Sequence, residues 1–103
     1  MKRQESKAMG PLHFAARDGE KEMVEFLLAR GTDVNAAAEN GWTALHFAAA
    51  QGHTFVAQLL LSKKANLAAT TADGHTPLDL AVFHSQLSVA ELLRRHGAPG
   101  GPK

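Results

Sequence analysis

The chain has 103 residues, a length that fits one compact domain and leaves no room for a second. Its formal net charge is +1 and no block is strongly basic, which removes nucleic acid as the default partner. Cysteine is absent, excluding disulfides, thiolate zinc sites and cysteine nucleophiles together. The first residues, Met1 to Lys7, are charged and lack the apolar core of a secretory signal. No stretch reaches the roughly 18 apolar residues that a membrane span needs. A soluble, intracellular chain is expected, cytoplasmic or nuclear. Isoleucine and tyrosine are missing, while alanine and leucine abound. Strands favour β-branched and aromatic side chains and helices favour Ala and Leu, so an all-α fold is predicted.

Self-similarity organises the chain. Leu12, Leu45 and Leu78 recur every 33 residues, and Ala15, Ala48 and Ala81 keep the same step. Leu27, Leu60 and Leu93 follow it too, as do Phe26, Leu59 and Leu92, and Met23, Val56 and Val89. Conservative matches in phase twice divide the chain into a lead (1–8), three units (9–36, 37–69 and 70–98) and a tail (99–103).

The lead, residues 1–8, extends the first cap or frays. In the first unit Pro11 sits at the first helical position, where its missing donor costs nothing. Gly19 breaks that helix, and a second ends near Gly31, where glycine takes the left-handed C′ conformation. Glu20, Lys21, Glu22, Glu25 and Arg30 are mixed in sign and read as a solvated outer face. In the middle unit Thr43 is placed as an N-cap. Leu45, Ala48 and Ala49 then form a narrow apolar stripe. Gly52 ends this helix, and Val56, Leu59 and Leu60 line the next. Lys64 stands at the C-cap glycine position, where a left-handed residue costs roughly 1 kcal/mol. The third unit repeats the plan with Thr76 and Pro77, replaces the inter-helix glycine by Ser85, and closes near Gly97. The tail Pro99 to Lys103, rich in glycine and proline, is not expected to pack.

These residues resemble the ankyrin repeat, a 33-residue unit with a T-P-L-H-x-A signature. Here the signature stands as Gly10-Pro11-Leu12-His13-Phe14-Ala15, Thr43-Ala44-Leu45-His46-Phe47-Ala48 and Thr76-Pro77-Leu78-Asp79-Leu80-Ala81. A closing G-x-D-V-N-A stands as Gly31-Thr32-Asp33-Val34-Asn35-Ala36. The resemblance covers about residues 9–98. It implies an all-α solenoid of stacked helix-turn-helix units, with hairpin-like loops projecting to one side and a concave binding surface. Two departures, Asp79 for the signature histidine and Arg94 where Leu28 and Leu61 stood, put polarity into the last unit, as a terminal cap requires. A monomer on its own is the expectation. Met9-Gly10 lacks the usual loop entry, so the first unit begins with a truncated loop.

Catalytic and metal chemistry find little support. By the resemblance, His13 and His46 occupy a signature position from which an imidazole bonds neighbouring loop backbone, and His53 follows an inter-helix glycine. His75 and His84 can approach each other, but no tight ligand spacing occurs and no metal is expected. Ser6, Ser62, Ser85 and Ser88 lack the context of a nucleophile, and phosphate-cradling glycine motifs are absent. No catalytic residue and no cofactor is assigned. Asn35 is expected to bond backbone across its hairpin; hydroxylation of such an asparagine is a family possibility only.

The expected site is a surface for another protein. By the resemblance, recognition falls on loop tips and on the outward side of each first helix. Three ladders follow: Met9, Trp42 and His75 on the loops; Arg17, Ala50 and Phe83; and Asp18, Gln51 and His84 near the ends of first helices. Glu39, Asn40 and Asp73 sit at the loop tips. Trp42 is singled out as an exposed aromatic that the framework does not demand, a natural interface anchor. Phe83 is a second anchor, unless a shift of one residue in phase buries it. The function expected is a non-catalytic adaptor or steric inhibitor. The alternative is a structural segment of a longer ankyrin array.

Overall fold

The computed structural model describes residues 9–98. The lead over residues 1–8 and the tail over 99–103 lie outside the described residues.

Six helices follow one another in pairs: α1 (Pro11–Asp18) and α2 (Lys21–Ala29), α3 (Ala44–Gln51) and α4 (Thr54–Ser62), α5 (Pro77–Phe83) and α6 (Leu87–Arg95). A short 3-10 turn (Glu39–Gly41) precedes α3. Each helix packs on its pair partner. The first helices also stack α1 on α3 on α5, and the second helices α2 on α4 on α6. No strand occurs among the described residues. The two layers make a slab whose extents are 42 × 29 × 19 Å. Its short axis is about two helix diameters.

Local chemistry fixes where each first helix begins. Thr43 Oγ1 accepts from the His46 amide at 3.4 Å, and Thr76 Oγ1 from the Asp79 amide at 3.1 Å. The N3 side chain answers: the amides of Gly10, Thr43 and Thr76 donate to His13 Nδ1, His46 Nδ1 and Asp79 Oδ2, each at 2.9 Å. Gly10 contributes no side-chain half, so the first unit is capped from one side only.

The core is the stripe the period predicts. Leu12, Leu45 and Leu78 are buried, as are Ala15, Ala48 and Ala81, and Leu60 and Leu93. Small alanines on the first helices let neighbouring units approach, and the leucines fill the space between layers. The first unit departs from its counterparts. Met23 is 44% exposed and Phe26 54%, whereas Val56, Val89 and Leu92 are buried. Phe14, at 44%, is likewise more open than Phe47 or Leu80. Their counterparts in the second and third units are less exposed, and the first unit has no unit before it among the described residues. Arg17 and Arg30 each lay a guanidinium over this edge, 5.1 Å from the Phe14 ring and 5.3 Å from Phe26.

Lys64 (φ 73°) and Ser85 (φ 59°) take the left-handed backbone that glycine holds elsewhere, as their positions predict. The Asn35 backbone amide stays local, donating to Asp33 Oδ1 at 2.9 Å, but the side chain does not bond within its own hairpin. Its Oδ1 accepts from the Asn66 amide at 2.7 Å and its Nδ2 donates to the Lys64 carbonyl at 3.4 Å. It therefore ties two successive loops together.

Candidate protein-binding face

The loops before α3 and α5 are built alike. The Ala38 amide donates to the Trp42 carbonyl at 2.8 Å, and the Thr71 amide to the His75 carbonyl at 2.9 Å. The Ala72 amide then donates to Asn40 O at 2.8 Å, linking one loop to the next. Glu39 and Asn40 are exposed in the 3-10 turn, Asn40 with φ 68°, and Asp73 is exposed in the following loop.

The signature histidines hold these loops to the helices. Because His46 Nδ1 accepts from the Thr43 amide, its proton sits on Nε2. Nε2 donates to the carbonyls of Ala69 and His75, at 3.1 and 3.0 Å. His13 does the same to Ala36 at 2.8 Å. Burial lowers the His46 pKa from its ordinary 6.5, opposed by its bonds to the His75 and Ala69 carbonyls. These imidazoles are structural ties.

Four of the residues singled out from the sequence come together. Trp42, His75, Phe83 and His84 line one groove of about 470 Å³, whose walls also include Asp79, Leu80 and Val82. Although Ala50, one period earlier on the same ladder, is buried at 7%, Phe83 is 80% exposed. It meets the His84 ring edge-on, 5.0 Å between centroids. His75 and His84 are both exposed. The remaining residues lie outside this groove. Met9 is half-buried beside Gly10, and Gln51 is exposed at the end of α3. Arg17 and Asp18 close on each other, Nε to Oδ1 at 3.0 Å.

Trp42 corrects one expectation. It is half-buried, with its ring 4.9 Å from Phe47 and 5.9 Å from His46. Phe47 rises from the first turn of α3 directly beside it, so part of the indole is used in packing. The rest forms the groove wall.

Sequence reasoning passed over three wall residues: Asp79, Leu80 and Val82. Val82 carried a visible signal, since it stands where Ala16 and Ala49 stand. Those alanines are buried; Val82 is exposed at 51%. Among the described residues, no three His, Asp or Glu side chains gather as a metal site, and no helix is long and apolar enough to cross a membrane.

A stack of helix pairs with loops on one side and an apolar groove beside its last first helix defines a repeat solenoid that offers a surface rather than an enclosed site. A family model for ankyrin repeats, in three copies, matches residues 12–100, and the chain belongs to that family. No curated protein matches the chain. Ankyrin repeats are generally protein–protein interaction modules.

Proposed function

We propose that this chain is a non-catalytic binding module that engages a partner protein through its loop and first-helix face, as an adaptor or as a steric inhibitor. The observation that supports this reading is the groove of Trp42, Leu80, Val82 and Phe83. A phenylalanine 80% exposed at the end of α5 contributes nothing to the core, yet it borders an apolar concavity wide enough for a partner side chain. Polar groups at its rim, His75 and His84, and on the neighbouring loops, Glu39, Asn40 and Asp73, supply specificity. The mechanism is geometric: a stiff stack presents a fixed array of contacts, and no group among the described residues is taken as poised for bond chemistry. Capture from cell lysate by the chain and by its Trp42→Ala, Phe83→Ala double variant, at equal helicity, tests it. A protein held by the parent chain and lost by the variant is the expected result.

A second reading, one segment of a longer stack, draws support from Phe14, Met23 and Phe26. Their counterparts in the next two units, which each follow another unit, are less exposed. A Phe26→Ser bait that loses the captured protein, while the Trp42 and Phe83 variant keeps it, favours that reading.

A further inference from the structure

We propose that the groove accepts an arginine-bearing, otherwise apolar segment of the partner, with the guanidinium directed at Asp79. This rests on the reading of the groove as the binding face. In the first two units the N3 side chain meets needs on two sides: its Nδ1 caps the helix and its Nε2 reaches the following loop. Asp79 caps α5 through Oδ2 alone. Its Oδ1 is buried and makes no hydrogen bond among the described residues. A buried carboxylate oxygen without a donor is costly, and a carboxylate can only accept. What completes it must donate, and a cation does so most strongly. Because Oδ1 is closed to solvent in the free chain, the Asp79 carboxyl turns towards the groove as the guanidinium seats.

The surroundings favour arginine. Asp79 lines the groove together with Trp42 and Phe83, whose rings suit a planar guanidinium. The charges along this face point the same way. Asp18, Glu39, Asp73 and Asp79 are acidic, while Arg17 has its guanidinium on Asp18. On or just beyond the second helices, the six cations Lys21, Arg30, Lys63, Lys64, Arg94 and Arg95 outnumber the four carboxylates Glu20, Glu22, Glu25 and Glu91. A chain of net charge +1 thus turns an acidic side to its groove.

Trp42 is the one tryptophan in the chain, so its emission reports on the groove directly. The probes are three blocked nonapeptides of leucine alternating with arginine, with citrulline or with glutamate. Citrulline keeps the shape of arginine without its charge. The arginine peptide is expected to shift Trp42 emission saturably. The citrulline peptide should bind roughly tenfold more weakly or worse, and the glutamate peptide should not bind. Asp79→Asn, which keeps an oxygen for the Thr76 amide, should bring the arginine peptide to the citrulline level and leave citrulline binding unchanged. Equal affinity for arginine and citrulline in the parent chain overturns the proposal. If Phe83→Ala weakens both peptides in that case, the groove remains the binding face and only the role of Asp79 fails. A chain whose Trp42 emission responds to none of the peptides also overturns the proposal, and the lysate capture then decides the parent reading separately.

Discussion

Gln86 donates from Nε2 to the carbonyl of Ala50 at 3.0 Å, as His53 donates to the carbonyl of Arg17 at 2.9 Å one unit earlier. The two residues share a place in the period and make one bond with different chemistry. Each lies across the glycine that ends the preceding first helix. A Cβ on Gly19 would stand 2.7 Å from the His53 ring, and one on Gly52 would collide with Gln86 Oε1. Both glycines also have φ near +76°, at 75° and 77°. Glycine is required there twice over, by backbone and by the neighbour. Ser85 occupies the same place in the last unit, where no described residue follows to lie across it.

Gln86→Ala should therefore cost about 1 kcal/mol, the net worth of one hydrogen bond. Gln86→His should recover most of it, because His53 shows that an imidazole spans the same gap. Thermal unfolding of the three chains checks both statements.

Lys64 and Ser85 hold left-handed backbone that L side chains resist. Replacing either with glycine should stabilise the fold by up to about 1 kcal/mol, with strain relief outweighing glycine's greater freedom in the unfolded chain. Gly52→Ala should act in the opposite direction, through both backbone strain and the clash with Gln86. Denaturant midpoints at constant slope would measure these changes.

Acid should weaken the fold through His46. Burial lowers its folded pKa beneath 6.5, so the unfolded chain takes up the proton first. The His46 contribution is complete above about pH 6.5, declines as pH falls from there towards the folded value, and levels off below it. Protonating Nδ1 also removes the acceptor for the Thr43 amide. A urea midpoint lower at about pH 5.5 than at about pH 7.5, with a His46 ring titration midpoint below 6.5 in NMR, is expected. A ring midpoint at or above 6.5 would contradict it.

Truncating Leu45→Ala, at the centre of the stack, should cost about 2–5 kcal/mol, because its side chain is 1% exposed and its neighbours close poorly over a cavity. In a chain this short that consumes most of the total stability. Loss of a cooperative thermal transition near room temperature is the expected readout.

The fold was legible because repetition and burial coincide. A leucine at a fixed step needs the same neighbours each time, so Leu12, Leu45 and Leu78 announce one core. Thr43, Thr76, Pro11 and Pro77 mark helix starts by chemistry that is local to a few residues. The site was legible only in part. Phe83 could be placed on α5 by phase, but phase did not predict its exposure, since Ala50 at the same place one unit earlier is buried. Trp42 could not be judged from sequence alone, because its burial depends on where the Phe47 ring settles. The free oxygen of Asp79 escaped notice for a similar reason: the substitution of histidine is visible, but which of its two bonds is lost shows only in three dimensions. Gln86 standing in for His53 was hidden because the two share a donor and little else.

The proposed binding face is the groove of α5, not the second helices. Two exposed phenylalanines separate these: Phe83, 80% exposed at the groove, and Phe55, 71% exposed in the first turn of α4. The measurement is the dissociation constant of the captured partner for the parent chain, Phe83→Ala and Phe55→Ala. A loss of roughly tenfold or more for Phe83→Ala, about 1.4 kcal/mol, with Phe55→Ala unchanged, is the predicted result. An unchanged constant for Phe83→Ala beside a comparable loss for Phe55→Ala would contradict the account and move the interface to the opposite layer.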